Sequence, residues 1–258
     1  MSDRPYVTLS CAMSLDGYLD DAGPRRLTLS NEADLDRVDQ VRSEHDAILV
    51  GASTVRRDNP RLLVRDERRS VARVSAGLPG SPVKVTVTSR GELNPDAAFF
   101  TTGDAEKIVY TPVARARRLA ARLGEVATVV GLGERVTMSA VLDDLVTRRG
   151  VQRLMVEGGG KVLTQFLADG LADELHLVIA PIMVGDARAP RLVGPGAFPW
   201  TADHRATLAG TRQIGDVVLL RYALSERFDP FERDAVAAPS RVAPSSVASS
   251  SITHGRAR

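Results

Sequence analysis

Metal-binding and redox-active side chains are scarce in this sequence of 258 residues. It has one cysteine, Cys11, which excludes an internal disulfide framework and any zinc site built from several cysteines. Cys11 lies in an apolar run typical of a strand, so we interpret it as a buried structural thiol. The histidines His45, His176 and His204 have no spacing that suits a metal, and we expect surface or core positions for them and no bound metal.

Long apolar runs are also missing. No stretch approaches the roughly 20 residues that a membrane-spanning helix needs, so we expect no contact with a membrane. The first ten residues, MSDRPYVTLS, lack the basic and then apolar pattern of a secretory signal. These two features predict a soluble protein of the cytoplasm.

Lysine is the third scarce residue type, because only three of the 34 basic residues are lysines. The arginines are interleaved with acidic residues, as in the segment RDERR at 65–69, and the formal net charge is only +2. A surface of mixed charge does not form the continuous basic stripe that follows nucleic-acid phosphates. We therefore expect no nucleic-acid partner.

Short apolar, β-branched runs alternate with amphipathic segments along most of the chain, which predicts an α/β fold with a mostly parallel sheet. The predicted strands are 6–11, 46–51, 83–89, 107–111, 127–132, 153–157 and 173–181. The predicted helices are 31–44, 113–124, 138–149 and 161–170. Two further runs, 206–213 and 216–224, predict a closing hairpin that gives the sheet an antiparallel edge.

The composition changes near residue 230. Residues 235–258 consist mostly of Ala, Ser, Val, Pro and Arg, with no aromatic residue, and cannot bury enough apolar surface to order themselves. We expect a single domain over 1–230 and a disordered tail over 231–258.

The segment Glu157-Gly158-Gly159-Gly160 follows a predicted strand and opens a predicted helix. Glycines allow close approach of the backbone to a ligand, and the amides and dipole of a helix start favour an anion such as a pyrophosphate. The spacing does not match the Rossmann G-x-G-x-x-G pattern, and a purely structural turn is an open alternative. A carboxylate at the end of a strand, as Glu157 is, can accept paired hydrogen bonds from an amino-substituted ring.

Two other strand ends carry polar residues. Thr54 and Asp58 follow the strand that ends at Gly51, although Asp58-Asn59-Pro60 would also suit a simple Asx turn. Ser89 and Arg90 follow the next strand, where a hydroxyl and a guanidinium could bind the 2′-phosphate that distinguishes NADP from NAD. An ordinary turn is again the alternative.

Taken together, four motifs resemble the reductase domain of the bifunctional riboflavin-biosynthesis deaminase-reductase, the RibD C-terminal domain family. They are VTLSCAMSLDG (7–17), DAILVGASTVRRDNP (46–60), VEGGG (156–160) and APIMVGD (180–186). The resemblance spans about residues 5–223 and implies a dihydrofolate-reductase-like fold with three layers, in which helices cover both faces of the central sheet. It implies an NADPH-dependent oxidoreductase similar to 5-amino-6-(5-phosphoribosylamino)uracil reductase, and a homodimer in which the terminal hairpin is a contact.

The resemblance also assigns roles to residues. The residues that it places at NADPH are Ala12, Thr54, Asp58, Ser89, Gly158, Gly159 and Gly160. Arg90 is added to them because of its guanidinium beside Ser89. The residues that it places at the substrate are Arg42, Leu62, Arg65 and Glu157, with the two arginines suited to its phosphate. Asp58 and Glu157 are the candidate catalytic carboxylates, which would orient the substrate.

The sequence departs from the family in three respects. It has neither the H-x-E nor the P-C-x-x-C motif of the zinc deaminases, so we expect a reductase without deaminase chemistry. Ser10 stands where many members have a lysine, and Thr28 where many have a tryptophan. A reductase of another pyrimidine or of a pterin such as dihydrofolate is therefore the alternative, and a nucleotide-binding protein without catalysis is a third.

Overall fold

The computed structural model describes residues 4–23 and 26–229. Nine strands form one sheet in the order β5-β4-β3-β2-β6-β1-β7-β9-β8. The strands are β1 (Tyr6–Ser14), β2 (Ala47–Gly51), β3 (Val83–Val87), β4 (Lys107–Thr111), β5 (Thr128–Gly131), β6 (Arg153–Gly158), β7 (Glu174–Ala180), β8 (Thr207–Ile214) and β9 (Val217–Ala223). Strands β1 to β7 pair in parallel, and β9 is antiparallel to both β7 and β8. The mixed sheet and its antiparallel edge confirm the predicted fold class.

Seven α-helices connect or flank these strands within the described residues. They are α1 (Glu32–Ser43), α2 (Ala52–Asp58), α3 (Glu67–Ser75), α4 (Ala98–Thr101), α5 (Val113–Leu123), α6 (Met138–Arg149) and α7 (Gly160–Ala168). None of the helices in this part of the chain is long and apolar enough to cross a bilayer. The tail predicted over 231–258 lies outside the described residues.

Two apolar clusters show how the helices divide between the faces of the sheet. Alternate strand residues such as Leu9 and Val156 pack with α6 and α7 on one face. Residues of the opposite pleat, such as Ile48 and Met155, pack with α1, α2, α4 and α5 on the other. Because strand side chains alternate between faces, each residue's place in its strand fixes the layer that it meets.

Helices α3 and α4 were not predicted from the sequence. In α3 only Arg73 is buried, so the helix has no apolar stripe. The helix packs against α1. Asp66 caps its start, because the Asp66 side chain accepts a hydrogen bond from the Arg69 amide. Helix α4 is a single turn whose burial of Phe99 and Phe100 depends on distant residues. Neither helix has the periodic apolar pattern from which a helix is predicted.

Candidate active site

The order of the strands creates a crevice between β2 and β6. After β2 the chain turns into α2, whose Val55 packs on the α1 face. After the neighbouring strand β6 it turns into α7, whose Leu163 and Phe166 pack on the opposite face. The two connections therefore diverge at the carboxyl ends of adjacent parallel strands. This is the position at which open α/β sheets bind ligands.

The predicted glycine turn lines this crevice. Gly158 and Gly159 have φ angles of 116° and 47°, a region that side chains other than glycine rarely adopt. A Cβ added to Gly159 would lie 3.0 Å from Oγ1 of Thr54, so α2 and the glycine turn approach closely. A Cβ added to Gly160 would lie 2.7 Å from the carbonyl oxygen of Arg191. The glycine turn therefore packs closely against α2 and the segment around Arg191, and the backbone amides at the start of α7 favour an anion.

Arg42 and Glu157 form the central ion pair of the site. Arg42 Nη2 donates to Glu157 Oε2 at 2.6 Å, and Arg42 Nε donates to Oε1, so the pair is bidentate. Arg42 Nη1 also donates to the carbonyl of Leu63 at 3.1 Å, which ties α1 to the segment after α2. Two residues predicted to contact the substrate are thereby brought together. Burial lowers the pKa of Arg42, but the charge and hydrogen bonds of Glu157, together with the charge of Asp39, outweigh burial and raise the pKa.

A backbone irregularity places Glu157. In the pairing of β2 with β6, Leu49 faces Val156 and the next residue, Val50, faces Gly158, so Glu157 is the extra residue of a β-bulge. Bulges turn the strand locally and re-aim a side chain. Glu157 follows Val156, which packs on the opposite face, so it faces α1 and meets Arg42 at this bulge, just before the glycine turn begins.

Asp58 ends α2 with an incompletely paired carboxylate. Its Oδ1 is buried and accepts no hydrogen bond from any described residue. Burial raises the pKa of Asp58; among the weaker influences, Arg26 and Arg57 lower it and Asp20 raises it. A carboxyl group in this setting holds its proton to higher pH than an ordinary aspartate.

The other residues predicted for the substrate differ in exposure. Leu62 is buried and has a φ of 48°, so the segment after α2 turns sharply there. Arg65 is exposed; its Nη2 donates to the carbonyl of Leu35 at 2.9 Å, and its Nε lies 3.5 Å from Asp39. Arg65 therefore lies along α1, with its guanidinium open to solvent.

The remaining predicted cofactor residues flank the crevice. Ser89 and Arg90 are exposed beyond the end of β3, the neighbour of β2. The turn that holds them is closed by a hydrogen bond from the Gly91 amide to Thr88 Oγ1. Ala12 is half-buried in β1 and packs beside Val178 on the α1 face.

A cover over the glycine turn was not predicted. Residues 17–19 and 190–192 pair antiparallel through Tyr18 and Arg191, and Leu19 donates to the carbonyl of Pro190 at 2.8 Å. The Arg191 guanidinium lies 4.5 Å from the centre of the Tyr18 ring. Farther along the same loop, Arg57 of α2 bonds the carbonyl of Asp21. Segment 16–23 thus links the start of α7 to the end of α2; the sequence around its beginning, SLDGYLDD (14–21), indicated a turn.

Sequence reasoning also missed a buried polar series on the α1 face. His176 Nε2 lies 2.8 Å from Glu174 Oε1, and Arg37 Nη1 lies 3.4 Å from His176 Nδ1. Arg37 Nε in turn donates to Asp34 Oδ1 at 2.7 Å. The interpretation of His45 and His176 as core or surface histidines holds, because both are buried and hydrogen-bonded. Within residues 4–23 and 26–229 no three histidine, cysteine or acidic residues lie close enough to hold a metal.

Comparisons with known proteins agree with this architecture. The model of the RibD C-terminal domain matches residues 5–220. The 2,5-diamino-6-ribosylamino-4(3H)-pyrimidinone 5′-phosphate reductase of Archaeoglobus fulgidus is 37% identical over 76% of the chain and 89% of that protein. The reductase of the same name from Methanothermobacter thermautotrophicus is 34% identical over 86% of the chain and 99% of that protein. The solved structure of Acinetobacter baumannii RibD is similar with a TM-score of 0.70 at 23% identity, over 86% of the chain and 58% of RibD.

Proposed function

Because the chain is an oxidoreductase of the RibD C-terminal domain family, we propose that it reduces a ribosylamino-pyrimidine 5′-phosphate with NADPH. The product would be the ribitylamino form. The observation that carries the proposal is the glycine turn at the divergence of β2 and β6, with the Arg42–Glu157 pair on its α1 side. In this proposal the site for the dinucleotide and the site for the polar ring are adjacent.

We propose that the crevice holds a dinucleotide. At Gly159 and Gly160 the Thr54 hydroxyl and the Arg191 carbonyl approach so closely that no side chain fits, so the backbone amides of the turn are not covered by one. We assign the pyrophosphate to the amides of Gly158, Gly159 and Gly160, and one ligand hydrogen bond to Thr54. Ser89 and Arg90, exposed at the next strand end, suit the 2′-phosphate of the adenosine half. Ala12 would border the nicotinamide. NADPH, when bound, supplies the hydride.

We assign the substrate to the α1 side of the crevice. Arg42 holds Glu157 by two hydrogen bonds, so the carboxylate has a fixed orientation toward a ring bearing amino groups. Arg65, with its exposed guanidinium, would bind the phosphate together with Arg42. Leu62 would supply an apolar contact. These residues act mainly by holding the acceptor carbon in place.

Asp58 has a separate proposed role. Reduction of the imine form of the sugar adds a hydride at C1′ and a proton at the attached nitrogen. A half-buried carboxyl whose pKa is raised can hold a proton beside the crevice, and one of its oxygens accepts no bond from the described residues. We therefore propose that Asp58 orients the substrate nitrogen and donates its proton to that nitrogen as the hydride adds at C1′.

The experiment that tests the function follows loss of reduced nicotinamide with three candidate substrates: the 2,5-diamino-pyrimidinone phosphate, the 5-amino-uracil phosphate and dihydrofolate. Turnover of at least one pyrimidine phosphate and none of dihydrofolate is expected. Turnover of dihydrofolate alone would support the pterin alternative. Binding of NADPH without turnover of any substrate would support a nucleotide-binding protein, and failure to bind NADPH would refute both enzymatic readings.

We further propose that the protein is a homodimer that associates through β8 and β9. β8 is the edge strand of the sheet, and seven of its eight residues are not buried. Leu208 is 52% exposed and Val218 is 40% exposed on this hairpin. An exposed edge with large apolar side chains favours pairing with a second chain.

A further inference from the structure

Helix α5 carries four arginines and no acidic residue. Its exposed arginines are Arg115, Arg117, Arg118 and Arg122. None of the four guanidinium groups forms a hydrogen bond or an ion pair with another residue of ranges 4–23 and 26–229. This differs from the mixed-charge surface that the sequence indicates, in which arginines such as Arg69 pair with carboxylates. The exposed side of α5 is therefore a concentration of positive charge.

Two close contacts orient α5 on the sheet. A Cβ added to Gly91 would lie 3.8 Å from Cδ1 of Leu119, so the turn after β3 lies against this leucine. A Cβ added to Gly131 would lie 3.0 Å from Cβ of Ala116, so that flank of the helix lies against the end of β5. At roughly 100° per residue, Ala116 lies on one side of Leu119 and three of the arginines lie on the other, toward β3. We call these three the arginine stripe: Arg115, Arg118 and Arg122.

Arginines also approach the turn after β3 from its other side. Arg90 is exposed and directly precedes Gly91. Arg56 of α2 donates from Nη1 to the carbonyl of Glu92 at 3.0 Å, so the helix that follows β2 adds a charge beside the same segment. The acidic side chains of this segment, Glu92 and Asp96, are exposed and form no ion pair within the described ranges. Five arginines and two carboxylates therefore surround the end of β3, which gives this surface an excess of positive charge.

The arginine stripe lies near the crevice but does not line it. β3 is the neighbour of β2, and β4, which leads into α5, is the next strand after β3. Neighbouring strands are about 4.8 Å apart, which puts α5 roughly 10 Å from the end of β2 along the sheet. This distance is close to the Debye length of ~10 Å at 0.1 M ionic strength. The charge of the stripe therefore acts at the crevice in dilute salt and is screened in concentrated salt.

We propose that the arginine stripe is an entry surface for the cofactor, which attracts NADPH and speeds its association with the crevice. This inference rests on the proposed function, because it assumes that NADPH binds there, and it adds residues outside the contacts assigned to the bound cofactor. NADPH bears a 2′-phosphate that NADH lacks, and a phosphate monoester carries about −1.5 to −2 charges at pH 7. Attraction of this kind raises association rates by about 10- to 10³-fold and acts much less on dissociation. The stripe thus favours NADPH over NADH through the rate of binding.

Stopped-flow fluorescence of the wild-type protein tests the salt dependence. Between about 0.01 M and 0.15 M ionic strength the Debye length falls from ~30 Å to ~8 Å. We expect the association rate constant kon of NADPH to fall about tenfold or more over this range. The kon of NADH, which has the smaller charge, should fall by a smaller factor. Equal salt dependence for the two cofactors, or none, would overturn the entry surface.

The double variant Arg115→Gln/Arg118→Gln removes two charges from the stripe. Its kon for NADPH should be about fivefold below that of the wild type in dilute salt and should approach the wild-type value in concentrated salt. The dissociation rate constant koff should change less than about twofold. An unchanged kon refutes the proposal. A loss that appears in koff and persists in concentrated salt would identify these arginines as direct contacts of the bound cofactor, and it refutes the proposal as well.

Arg148→Gln/Arg205→Gln is the matched control, because it removes the same charge from the opposite edge of the sheet. Arg148 is exposed near the end of α6, before β6 begins, and Arg205 is exposed just before β8 begins. Both strands run in the direction of β2, so the two arginines lie at the amino edge, away from the crevice. The control should keep kon within about twofold of the wild type. An equal loss in both double variants would show that kon follows net charge and not the position of the stripe, which overturns the proposal.

Binding kinetics and turnover separate this inference from the proposed function. If NADPH binds with the expected salt dependence but no pyrimidine phosphate is reduced, the proposed function fails and the entry surface stands. If a pyrimidine phosphate is reduced but kon does not depend on salt, only the entry surface fails. If NADPH does not bind the wild type at all, both are refuted.

Discussion

At the scale of single residues, the Arg42–Glu157 pair links the predicted substrate residues to one another. Each side chain is about 15% exposed, so the pair is largely removed from water and its loss has more effect than loss of a surface pair. The sequence indicated both residues through the family resemblance. It could not show their pairing, because a bulge in β6 and the position of α1 jointly create it.

Glu157→Gln tests this residue directly. The amide keeps the shape but loses the charge, and we expect kcat/KM for the pyrimidine phosphate to fall about 100-fold, equivalent to about 2.7 kcal/mol. The Kd of NADPH should change less than threefold. Glu106→Gln is the control, since Glu106 forms an ion pair with Arg149 on the surface. Equal losses of substrate use and NADPH binding would show that Glu157 serves the cofactor instead.

Asp58 carries a prediction about pH. Burial raises its pKa in the folded protein, so the carboxyl binds its proton more tightly there than in the unfolded chain. Its contribution to stability is complete below the ordinary carboxyl pKa and is lost as the pH rises through the raised value. Asp58→Asn removes this titration. The Tm of the variant minus that of the wild type should therefore increase as the pH rises through the carboxyl range, and a difference that is constant with pH would contradict the buried setting.

At the scale of elements, local sequence patterns predicted most strands and helices, but they did not predict the tertiary contacts between distant segments. The β-branched runs and terminal glycines predicted strands β1 to β9 and the helices that end at Gly124 and Gly150. The cover of residues 17–19 and 190–192 left no such pattern, because its pairing joins segments about 170 positions apart. The buried series from Asp34 to Glu174 was missed for the same reason, since its Arg37–His176 contact joins α1 to β7 across 139 positions.

Gly160→Ala tests how the cover and the start of α7 meet. The new Cβ would lie 2.7 Å from the Arg191 carbonyl, so the cover or the helix must shift, at a cost of about 1 to 3 kcal/mol. We expect NADPH affinity to fall by about tenfold or more, measured by fluorescence titration. Gly210→Ala, in β8, has no atom within 4 Å of its added Cβ and should leave the affinity unchanged. An unchanged Kd for Gly160→Ala would exclude this turn from the cofactor site.

At the scale of the whole molecule, the sheet has two different edges. The β5 edge follows a parallel ladder and is a strand of only four residues. The β8 edge is twice as long, ends an antiparallel ladder and carries exposed apolar side chains. Short edges are protected from association by their length, whereas a long exposed edge requires a partner or a charged surface. This difference favours β8 and β9 as the proposed dimer contact.

The mass in solution tests that contact. Sedimentation equilibrium should give twice the chain mass of 27.7 kDa for the wild type. Leu208→Glu places a charge on the exposed face of β8 and should shift the equilibrium to the monomer, because burying an unpaired carboxylate in an interface costs several kcal/mol. Val71→Glu provides the matched control, since Val71 is 56% exposed on α3, away from the hairpin. A monomeric wild type, or a dimer that Leu208→Glu leaves intact, would exclude this hairpin as the interface.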